Sequence, residues 1–387
     1  MIYLDNSATT KICDEALERY ATVSRECFGN PSSLHGAGFL AEKTVSDARK
    51  TILSALGAKG AQLIFTASGS EANNLAIFGR AFAKERFRRG GKIITSEGEH
   101  ASVSEPIAEL ERQGFKVARI PTKGGKLDTG ALDRELTSDV ILVSVMMVNN
   151  ETGALYDIEG LSRLMRERSR DAVLHIDATQ SFMKCPISMQ KLGADMITVS
   201  SHKIEGPKGI GALAVTDAII KNRGLSPLIL GGGQELGMRS GTENVPAIAA
   251  FAEAVGIAKD KLPERAERMG KLRQRLIDNL TRPPLLSEIS ITNPENHAPH
   301  ILNITLPGIK SETMLHYLSS LGIFVSSGSA CSSNSRHLSS ALLAYGRSEK
   351  EADCSIRVSF SHRNTEDEID ELARALEAGL KKLARIR

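Results

Sequence analysis

Short apolar runs alternate with amphipathic stretches between residues 60 and 220, and this alternation constrains the fold more than any other feature of the sequence. Each run is closed by a polar residue or a glycine. Such alternation is typical of a mostly parallel sheet with helices on both faces. We therefore predict an α/β fold here, with strands at residues 62–66, 92–96, 116–120, 140–147, 172–177, 196–200 and 211–215.

The pattern changes after a long helical stretch at residues 245–282, where Pro263 predicts a kink or a break. Beyond it, short strands and helices are mixed, which is typical of a smaller α+β unit. A chain of 387 residues also exceeds the length of a usual single domain. We therefore predict a second domain, with strands at residues 300–306, 322–326 and 355–360 and helices at 311–321 and 366–386.

Composition excludes several classes of protein. Hydrophobic residues make up 41% and charged residues 25% of the chain, which indicates a folded soluble protein. No apolar stretch is long enough to span a membrane and the start of the chain has no signal-peptide pattern, so we expect a cytoplasmic protein. A net charge of +3, with no Trp, argues against a nucleic-acid partner. The cysteines form no CxxC pair, which favours a reducing compartment; they are Cys13, Cys27, Cys185, Cys331 and Cys354.

A candidate phosphate site follows the first predicted strand, in the sequence TASGSEANN at residues 66–74. A helix that begins here offers unpaired N–H groups and a partial positive charge, on which a phosphate could bind at Gly69 and Ser70. A simple capped turn is the alternative interpretation. The motif matches neither the dinucleotide fingerprint nor the P-loop, so nucleotide binding is not favoured.

Two further strand ends carry residues suited to a pyridine cofactor. Asp177 and Gln180 follow strand 172–177, at the edge of the sheet where open α/β folds bind ligands. Asp177 could be a helix N-cap, but a protonated pyridinium nitrogen would also justify its charge. Lys203 lies just past strand 196–200, beside Ser200 and His202, and a desolvated lysine there could form a Schiff base with an aldehyde.

His100 follows strand 92–96 in the sequence EGEHAS. Its imidazole could stack on a heteroaromatic ring or carry protons near neutral pH, although an isolated surface histidine is more common. The stronger signal is the set: the phosphate turn, His100, Asn150, Asp177 with Gln180, and Lys203 follow successive strands in that order.

Eight motifs of this chain resemble, in order and spacing, those of the cysteine desulfurases, the NifS-like branch of the class V aminotransferases that uses pyridoxal 5′-phosphate (PLP). The motifs are SGSEANN (68–74), EHAS (99–102), NNETG (149–153), HIDATQS (175–181), SSHKIEGPKGIGAL (200–213), RSGTENVP (239–246), SSGSACSS (326–333) and SIRVSFS (355–361). The resemblance implies the type I fold of PLP-dependent transferases and a homodimer. It also implies a large PLP-binding domain at residues 14–258, with a small α+β domain made of residues 1–13 and 259–387.

The same resemblance implies a role for each matching residue. Lys203 is expected to be the Schiff-base lysine, and His100 to stack on the cofactor and carry protons. The other expected cofactor contacts are Gly69, Ser70, Asn150, Asp177, Gln180, Ser200, His202 and, from the neighbouring subunit, Thr242. Arg357 and Asn30 are expected to bind the substrate carboxylate, for which a planar guanidinium is well suited.

Cys331 is expected to be the nucleophile that accepts sulfur from L-cysteine. It lies in the Ser- and Gly-rich sequence SSGSACSSNS at residues 326–335, a composition that favours an exposed loop able to carry a thiol to the substrate and away. The products would be L-alanine and a persulfide on Cys331. That sulfur would pass to an acceptor protein of iron–sulfur cluster assembly or of tRNA thiolation.

Two alternatives remain open from the sequence. Another class V activity, such as a selenocysteine lyase or an aminotransferase, would keep Lys203 and PLP without needing Cys331. A non-catalytic sulfur carrier or scaffold subunit would retain the fold, and a PLP-loaded protein that releases nothing from cysteine would support it. A NAD-dependent oxidoreductase and a zinc enzyme are not favoured, because the chain has neither the glycine fingerprint nor clustered His and Cys ligands.

Overall fold

The structure is a computed structural model that describes residues 1–283, 289–327 and 338–383. Its strands are β1 (Ile2–Tyr3), β2 (Ala61–Thr66), β3 (Lys92–Ser96), β4 (Lys116–Ile120), β5 (Val140–Met146), β6 (Val173–Asp177), β7 (Met196–Ser200), β8 (Gly211–Thr216), β9 (Ser290–Thr292), β10 (Ile301–Thr305), β11 (Ile323–Phe324), β12 (Ser326–Ser327) and β13 (Ser355–Ser359).

The helices cover both faces of the larger sheet and one side of the smaller. They are α1 (Asp14–Glu26), α2 (Gly36–Ala55), α3 (Gly69–Ala81), α4 (Glu85–Arg88), α5 (Ala101–Arg112), α6 (Thr129–Glu135), α7 (Ile158–Arg168), α8 (Asp217–Lys221), α9 (Val245–Asp260), α10 (Leu262–Leu280), α11 (Ser311–Ser320), α12 (Ser340–Tyr345), α13 (Glu349–Asp353) and α14 (Glu366–Leu383). None of the described helices is both long enough and apolar enough to cross a membrane.

A seven-stranded sheet forms the centre of the larger unit, with strand order β2-β8-β7-β6-β5-β3-β4. The five strands from β7 to β4 in that order run parallel, whereas β8 runs antiparallel to both of its neighbours. The reason is the short connection from β7 to β8, residues 201–210, which has no room for a crossover helix. The predicted α/β fold is confirmed, and each predicted strand of this sheet matches the structure to within one residue at either end.

Apolar side chains project from both faces of this sheet, as expected for strands that are buried on both sides. In β2, Leu63 and Phe65 join one hydrophobic cluster, and Ile64 joins the other. Helices α1, α2 and α9 contribute to the first cluster, and α3 and α5 to the second. The carboxyl ends of the central strands therefore remain the open edge of the sheet.

The connection to the smaller unit consists of two helices, as the sequence predicts. Helix α9 ends at Asp260, Lys261 separates the helices, and Pro263 lies in the first turn of α10. Proline fits there because the first N–H groups of a helix have no intrahelical acceptor. The predicted break at Pro263 is thus confirmed.

A four-stranded antiparallel sheet of order β12-β13-β10-β9 forms the smaller unit. Leu4, near the start of the chain, packs in the same hydrophobic cluster as Leu302 of β10 and Leu376 of α14. The predicted single strand at residues 322–326 is wrong. The chain forms two strands there, because β11 pairs with β1 while β12 pairs with β13. The domain boundaries at residues 13/14 and 258/259 stay a prediction.

Candidate active site

A cavity of about 300 Å³ lies at the carboxyl ends of β6 and β7. It is bounded by the beginnings of α3 and α5, by the N-terminal segment of the chain and by β13. Its lining residues are Ser7, Ala8, Ser68, Gly69, Ser70, His100, Ser102, Met146, Val148, Asn150, Asp177, Thr179, Gln180, Ser200, His202, Lys203 and Arg357. This is the edge at which open α/β sheets bind ligands.

Asp177 ends β6 with its carboxylate almost fully buried. Oδ1 accepts a hydrogen bond from the Thr179 N–H at 2.9 Å, and Oδ2 accepts one from Asn73 Nδ2 at 2.9 Å. A buried carboxylate is costly unless donors or a cation compensate for its lost hydration. Two neutral donors fix its orientation, and a cationic ring nitrogen in the cavity would supply the opposite charge.

His100 is the N-cap of α5 and lines the same cavity as Asp177. Its Nδ1 accepts a hydrogen bond from the Ser102 N–H at 3.1 Å and lies 2.8 Å from Ser102 Oγ. Asn73 Nδ2 donates to Ser102 Oγ at 2.8 Å and so links His100 to Asp177. Burial lowers the pKa of His100 below its usual range, so the ring is neutral at pH 7.

Lys203 follows β7 in a short 3-10 turn, Ser201–Lys203. Its Nζ donates hydrogen bonds to the backbone carbonyl oxygens of Ser7 and Ala8 at 2.6 and 2.8 Å. Gln180 Nε2 donates to the same Ser7 carbonyl at 2.9 Å. The N-terminal segment therefore holds the amine of Lys203 and the amide of Gln180 at one wall of the cavity.

Lys184 is buried next to this wall. Its Nζ is 3.5 Å from Gln180 Oε1. Burial, with a further contribution from Lys203, lowers the pKa of Lys184 to about 7. This partly charged amine adds positive potential on the side of the cavity that carries Lys203.

The beginning of α3 forms the end of the cavity suited to a phosphate. Ser68 caps the helix by accepting a hydrogen bond from the Glu71 N–H, which leaves the first N–H groups of α3 directed at the cavity. A Cβ at Gly69 would lie 3.2 Å from Ser200 Cβ and 3.3 Å from Thr179 Oγ1, so glycine keeps this cradle open. Ser200 Oγ is buried and has no hydrogen-bond partner among the described residues.

His202 lies beside the same end of the cavity. Its Nδ1 is 3.2 Å from Thr9 Oγ1. Burial, with Lys203 as a second cause, lowers the pKa of His202 to about 4. The ring is therefore neutral at pH 7, and it can offer an N–H to an anion without carrying a charge itself.

Arg357 enters the cavity from β13 of the small sheet. Its Nη1 donates to the Asn150 carbonyl oxygen at 2.9 Å, and its Nη2 donates to Asp5 Oδ1 at 2.9 Å. Two of its five N–H groups are used in this way, and Nε is buried with no partner among the described residues. The guanidinium therefore retains donors for a carboxylate ligand.

The sequence-predicted residues fall into three groups. Ten line this cavity: Gly69, Ser70, His100, Asn150, Asp177, Gln180, Ser200, His202, Lys203 and Arg357. Asn30 and Thr242 are exposed and are not among its described lining residues. Cys331 lies outside the described residues. The roles of all of these residues stay predictions.

Several residues around the cavity were missed by the sequence analysis. Ser7 and Ala8 belong to the sequence LDNSATT at residues 4–10, which carried no assigned chemistry because it contributes through backbone carbonyls. Asn73 and Ser102 lie inside recognised motifs, but only the folded contacts join them to Asp177 and His100. The sequence offered one signal for Asn73 and Ser102: they are polar residues of the motifs SGSEANN and EHAS to which no role is assigned.

The donor set fits PLP. The buried carboxylate of Asp177 suits a ring nitrogen, the neutral imidazole of His100 suits the ring face, and the α3 cradle with the unpartnered Ser200 Oγ suits a phosphate. Lys203 lines the same cavity, and its half-buried side chain places the amine against the N-terminal segment. An amine so placed can condense with an aldehyde.

Comparisons with known proteins agree with this geometry. The family model described as aminotransferase class-V matches residues 2–372. The chain is 38% identical over 386 residues to cysteine desulfurase IscS 1 of Archaeoglobus fulgidus, covering 99% of this chain and 98% of that protein. It is 41% identical over 384 residues to a NifS/IcsS protein homolog of Lactobacillus delbrueckii subsp. bulgaricus, covering 97% and 96%.

Solved structures show the same relationship. A NifS-like protein superposes with a TM-score of 0.90 at 34% identity, covering 98% of this chain and 99% of that one. A NifS-like protein from Rickettsia africae superposes with a TM-score of 0.86 at 33% identity, covering 98% and 99%. The structure described as SspA in complex with cysteine gives a TM-score of 0.80 at 33% identity, covering 94% and 100%.

Proposed function

This chain belongs to the class V aminotransferase family and is a cysteine desulfurase, and we propose that Lys203, His100 and Cys331 carry out its chemistry. PLP is the cofactor, and L-cysteine is the substrate. The observation that supports this assignment best is that Lys203, Asp177, His100 and Arg357 line one cavity although they come from four separate parts of the chain.

PLP, when bound, supplies an electron sink that makes bonds at the substrate Cα and Cβ easier to break. Lys203 would hold the cofactor aldehyde covalently, and Asp177 would face the ring nitrogen while Asn73 and Thr179 hold its carboxylate in place. Gln180 would donate to the ring hydroxyl oxygen. The phosphate contacts would be Gly69, Ser70, Ser200, His202 and Thr242 of the partner subunit.

The substrate carboxylate would bind to Arg357, with Asn30 as a further contact, and Asn150 would contact the cofactor or the substrate amine. Once its amine is free, Lys203 can take a proton from the substrate and return one later. His100 can share this task because its lowered pKa leaves it neutral. Both groups line the same cavity.

Cys331 would then attack the substrate sulfur as a thiolate. A bond forms between the two sulfur atoms while the bond between the substrate sulfur and Cβ breaks, and the carbon fragment takes up a proton to leave as L-alanine. The persulfide on Cys331 would pass to an acceptor protein of iron–sulfur cluster assembly or of tRNA thiolation. A cytoplasmic location is part of this proposal, supported by the four described cysteines, which are all buried and free of disulfides.

A homodimer is also part of the proposal. Large apolar side chains are exposed in two stretches of the chain: Leu17, Phe28, Leu34, Phe39 and Leu40 in one, and Leu228, Ile229, Leu230 and Leu236 in the other. Exposed apolar side chains that cluster on a surface are typical of an interface. The second stretch leads directly to Thr242, which is itself exposed and free to enter a partner's cavity.

The test is the release of alanine and sulfide from L-cysteine with a thiol reductant. We expect the native protein to release both in equal amounts, and Cys331→Ala to lose this activity at equal PLP content. Cys354→Ala, which changes a buried cysteine that does not line the cavity, is the matched control and should remain active. If Cys331→Ala is as active as the native protein, the persulfide mechanism is wrong and selenocysteine and transamination become the next substrates to test.

A further inference from the structure

The segment that leads into the cavity from the N-terminus is paired with β13. Asp5 forms a parallel bridge with Ser359, whose N–H donates to the Leu4 carbonyl oxygen at 2.7 Å. The Asn6 N–H donates back to the Ser359 carbonyl oxygen at 3.3 Å. This pairing places the side chain of Asp5 beside Arg357, two residues before Ser359 on the same strand.

Asp5 and Arg357 form an ion pair with little access to water. Asp5 Oδ1 accepts a hydrogen bond from Arg357 Nη2 at 2.9 Å, and the two side chains are 19% and 6% exposed. Because Arg357 Nη1 is bonded to the Asn150 carbonyl oxygen, both terminal nitrogens of the guanidinium are anchored. Asp5 contacts one and the turn after β5 the other, so the plane of the guanidinium is fixed before any ligand binds.

The charges around Asp5 are mostly positive. Burial raises the pKa of Asp5, and the positive charges of Arg357 and Lys203 oppose that rise. Tyr3, whose hydroxyl donates to the Asp5 carbonyl oxygen at 3.2 Å, is the other titratable group that faces it. Asp5 is thus a negative counter-charge at the substrate end of a cavity whose walls carry two cations.

The same segment also reaches Lys203. The carbonyl oxygens of Ser7 and Ala8, two and three residues after Asp5, accept hydrogen bonds from Lys203 Nζ. Residues 5–8 therefore contact both cationic groups of the cavity, Arg357 through a side chain and Lys203 through the backbone. A displaced segment would disturb both groups, whereas the loss of the Asp5 charge alone would act mainly on Arg357, because the interaction of that charge with Lys203 is the weakest of those at Asp5.

We propose, on the basis of the proposed function, that Asp5 is a positioning residue that holds the guanidinium of Arg357 in the orientation that receives the substrate carboxylate. Asp5 does not contact the substrate in this account. It acts by fixing Nη2, so that the unused N–H groups of Arg357 face the carboxylate of an incoming amino acid. Orientation matters because two parallel hydrogen bonds to a carboxylate form only when guanidinium and ligand share a plane.

The test compares Asp5→Asn with the native holoenzyme. Asparagine keeps the size of the side chain and an oxygen acceptor but removes the charge that strengthens the bond to Nη2. L-alanine and ethylamine are the two probes, because both present an amine to the cofactor and only L-alanine carries a carboxylate. Their dissociation constants are read from the change in the visible absorption of the bound cofactor, which requires no turnover.

We expect Asp5→Asn to weaken L-alanine binding by about tenfold or more and to change ethylamine binding by less than about twofold. The KM for L-cysteine should rise in parallel, with a smaller change in kcat. Asp370→Asn, which breaks the ion pair with Arg275 far from the cavity, is the control and should leave both dissociation constants unchanged. Asp5→Asn combined with Arg357→Lys should bind L-alanine no more weakly than Arg357→Lys alone, because both changes act on one contact.

Three results would overturn the inference. Tighter binding of L-alanine by Asp5→Asn would make Asp5 a competitor of the substrate carboxylate, and unchanged binding would remove its role. Equal weakening of L-alanine and ethylamine would mean that the variant displaces the whole segment and Lys203 with it. If the native protein binds L-alanine but releases no sulfur from L-cysteine, the proposed function fails while the role of Asp5 is still decided by these constants.

Discussion

The two ends of the cavity are built in different ways. The cofactor end, with Gly69, His100, Asp177 and Lys203, is formed by the ends of strands of one sheet and by the segments that follow them. The substrate end joins Arg357 of β13 to Asp5, a residue 352 positions earlier in the chain. The cofactor end therefore depends mainly on the large sheet, with Ser7 and Ala8 of the N-terminal segment holding Lys203. The substrate end depends on how the small sheet and the N-terminal segment come together.

Because of this difference, we expect the two ends to contribute separately to the chemical step and to substrate binding. Under the proposed roles, a change at the cofactor end removes a group that takes part in the reaction, so its effect on kcat should be large. A change at the substrate end leaves the cofactor and its lysine in place, so its effect should fall mainly on KM.

Lys203→Ala should lower kcat by about four orders of magnitude, because it removes both the covalent link to the cofactor and a proton carrier. The mass of the chain after borohydride reduction, measured together with alanine release, checks this prediction. Lys208→Ala, an exposed lysine in the same loop, is the matched control and should keep the covalent cofactor and full activity. A reduced cofactor adduct on the Lys203→Ala chain would show that another lysine carries the link.

Arg357→Lys should raise the KM for L-cysteine by about 10- to 100-fold and change kcat less. Lysine keeps the charge but loses the fork of N–H groups that binds Asp5, Asn150 and a carboxylate at once. Steady-state kinetics at matched cofactor content gives both constants, and Arg275→Lys, in a remote ion pair, should change neither. A fall in kcat as large as that of Lys203→Ala would break the separation between the two ends.

His175→Asn should reduce the loss of stability at acid pH by about 3 kcal/mol. His175 is buried in β6 between Ser144 Oγ and Thr198 Oγ1, and burial lowers its pKa to about 4. A histidine with a lowered pKa is neutral in the fold, so its contribution to stability is present above its unfolded pKa of about 6.5. That contribution is lost as the pH falls from 6.5 towards 4, because the unfolded chain binds the proton more tightly.

Urea unfolding of the full chain at pH 7.5 and pH 4.5 measures this loss. The difference in the free energy of unfolding between the two pH values should be smaller for His175→Asn than for the native chain. The exposed His316 provides the control, and His316→Asn should behave as the native chain does. An unchanged pH dependence in His175→Asn would mean that the acid sensitivity arises elsewhere, as in His202 or His362, whose pKa values burial also lowers to about 4.

The sequence predicts the cofactor end better than the substrate end, and the reason is physical. Strands and the turns after them leave local patterns, so the positions of His100, Asp177 and Lys203 at one sheet edge follow from periodicity and topology. The antiparallel direction of β8 follows from the short connection between β7 and β8. Hydrophobic periodicity locates a strand but does not give its direction. The pairing of β11 with β1 splits a predicted strand, because strand partners are set by packing across the whole chain.

Long-range contacts are the part that the sequence does not reveal. Asp5 and Arg357 have no local pattern that joins them, and the carbonyl groups of Ser7 and Ala8 act through a backbone that every residue shares. Asn73 connects Asp177 to Ser102 only because α3 packs beside α5 on one face of the sheet. Such contacts depend on the assembled fold, so local sequence patterns do not predict them.

The central claim is that sulfur leaves L-cysteine at this cavity and is carried by Cys331. Its most direct test is a single turnover of the native holoenzyme with L-cysteine and no reductant, followed by mass measurement of the cysteine-containing peptides. We expect one added sulfur atom on Cys331, none on the buried Cys13, Cys27, Cys185 and Cys354, and an equal amount of L-alanine. Alanine formed without added sulfur on Cys331, or sulfur found on another cysteine, would contradict it.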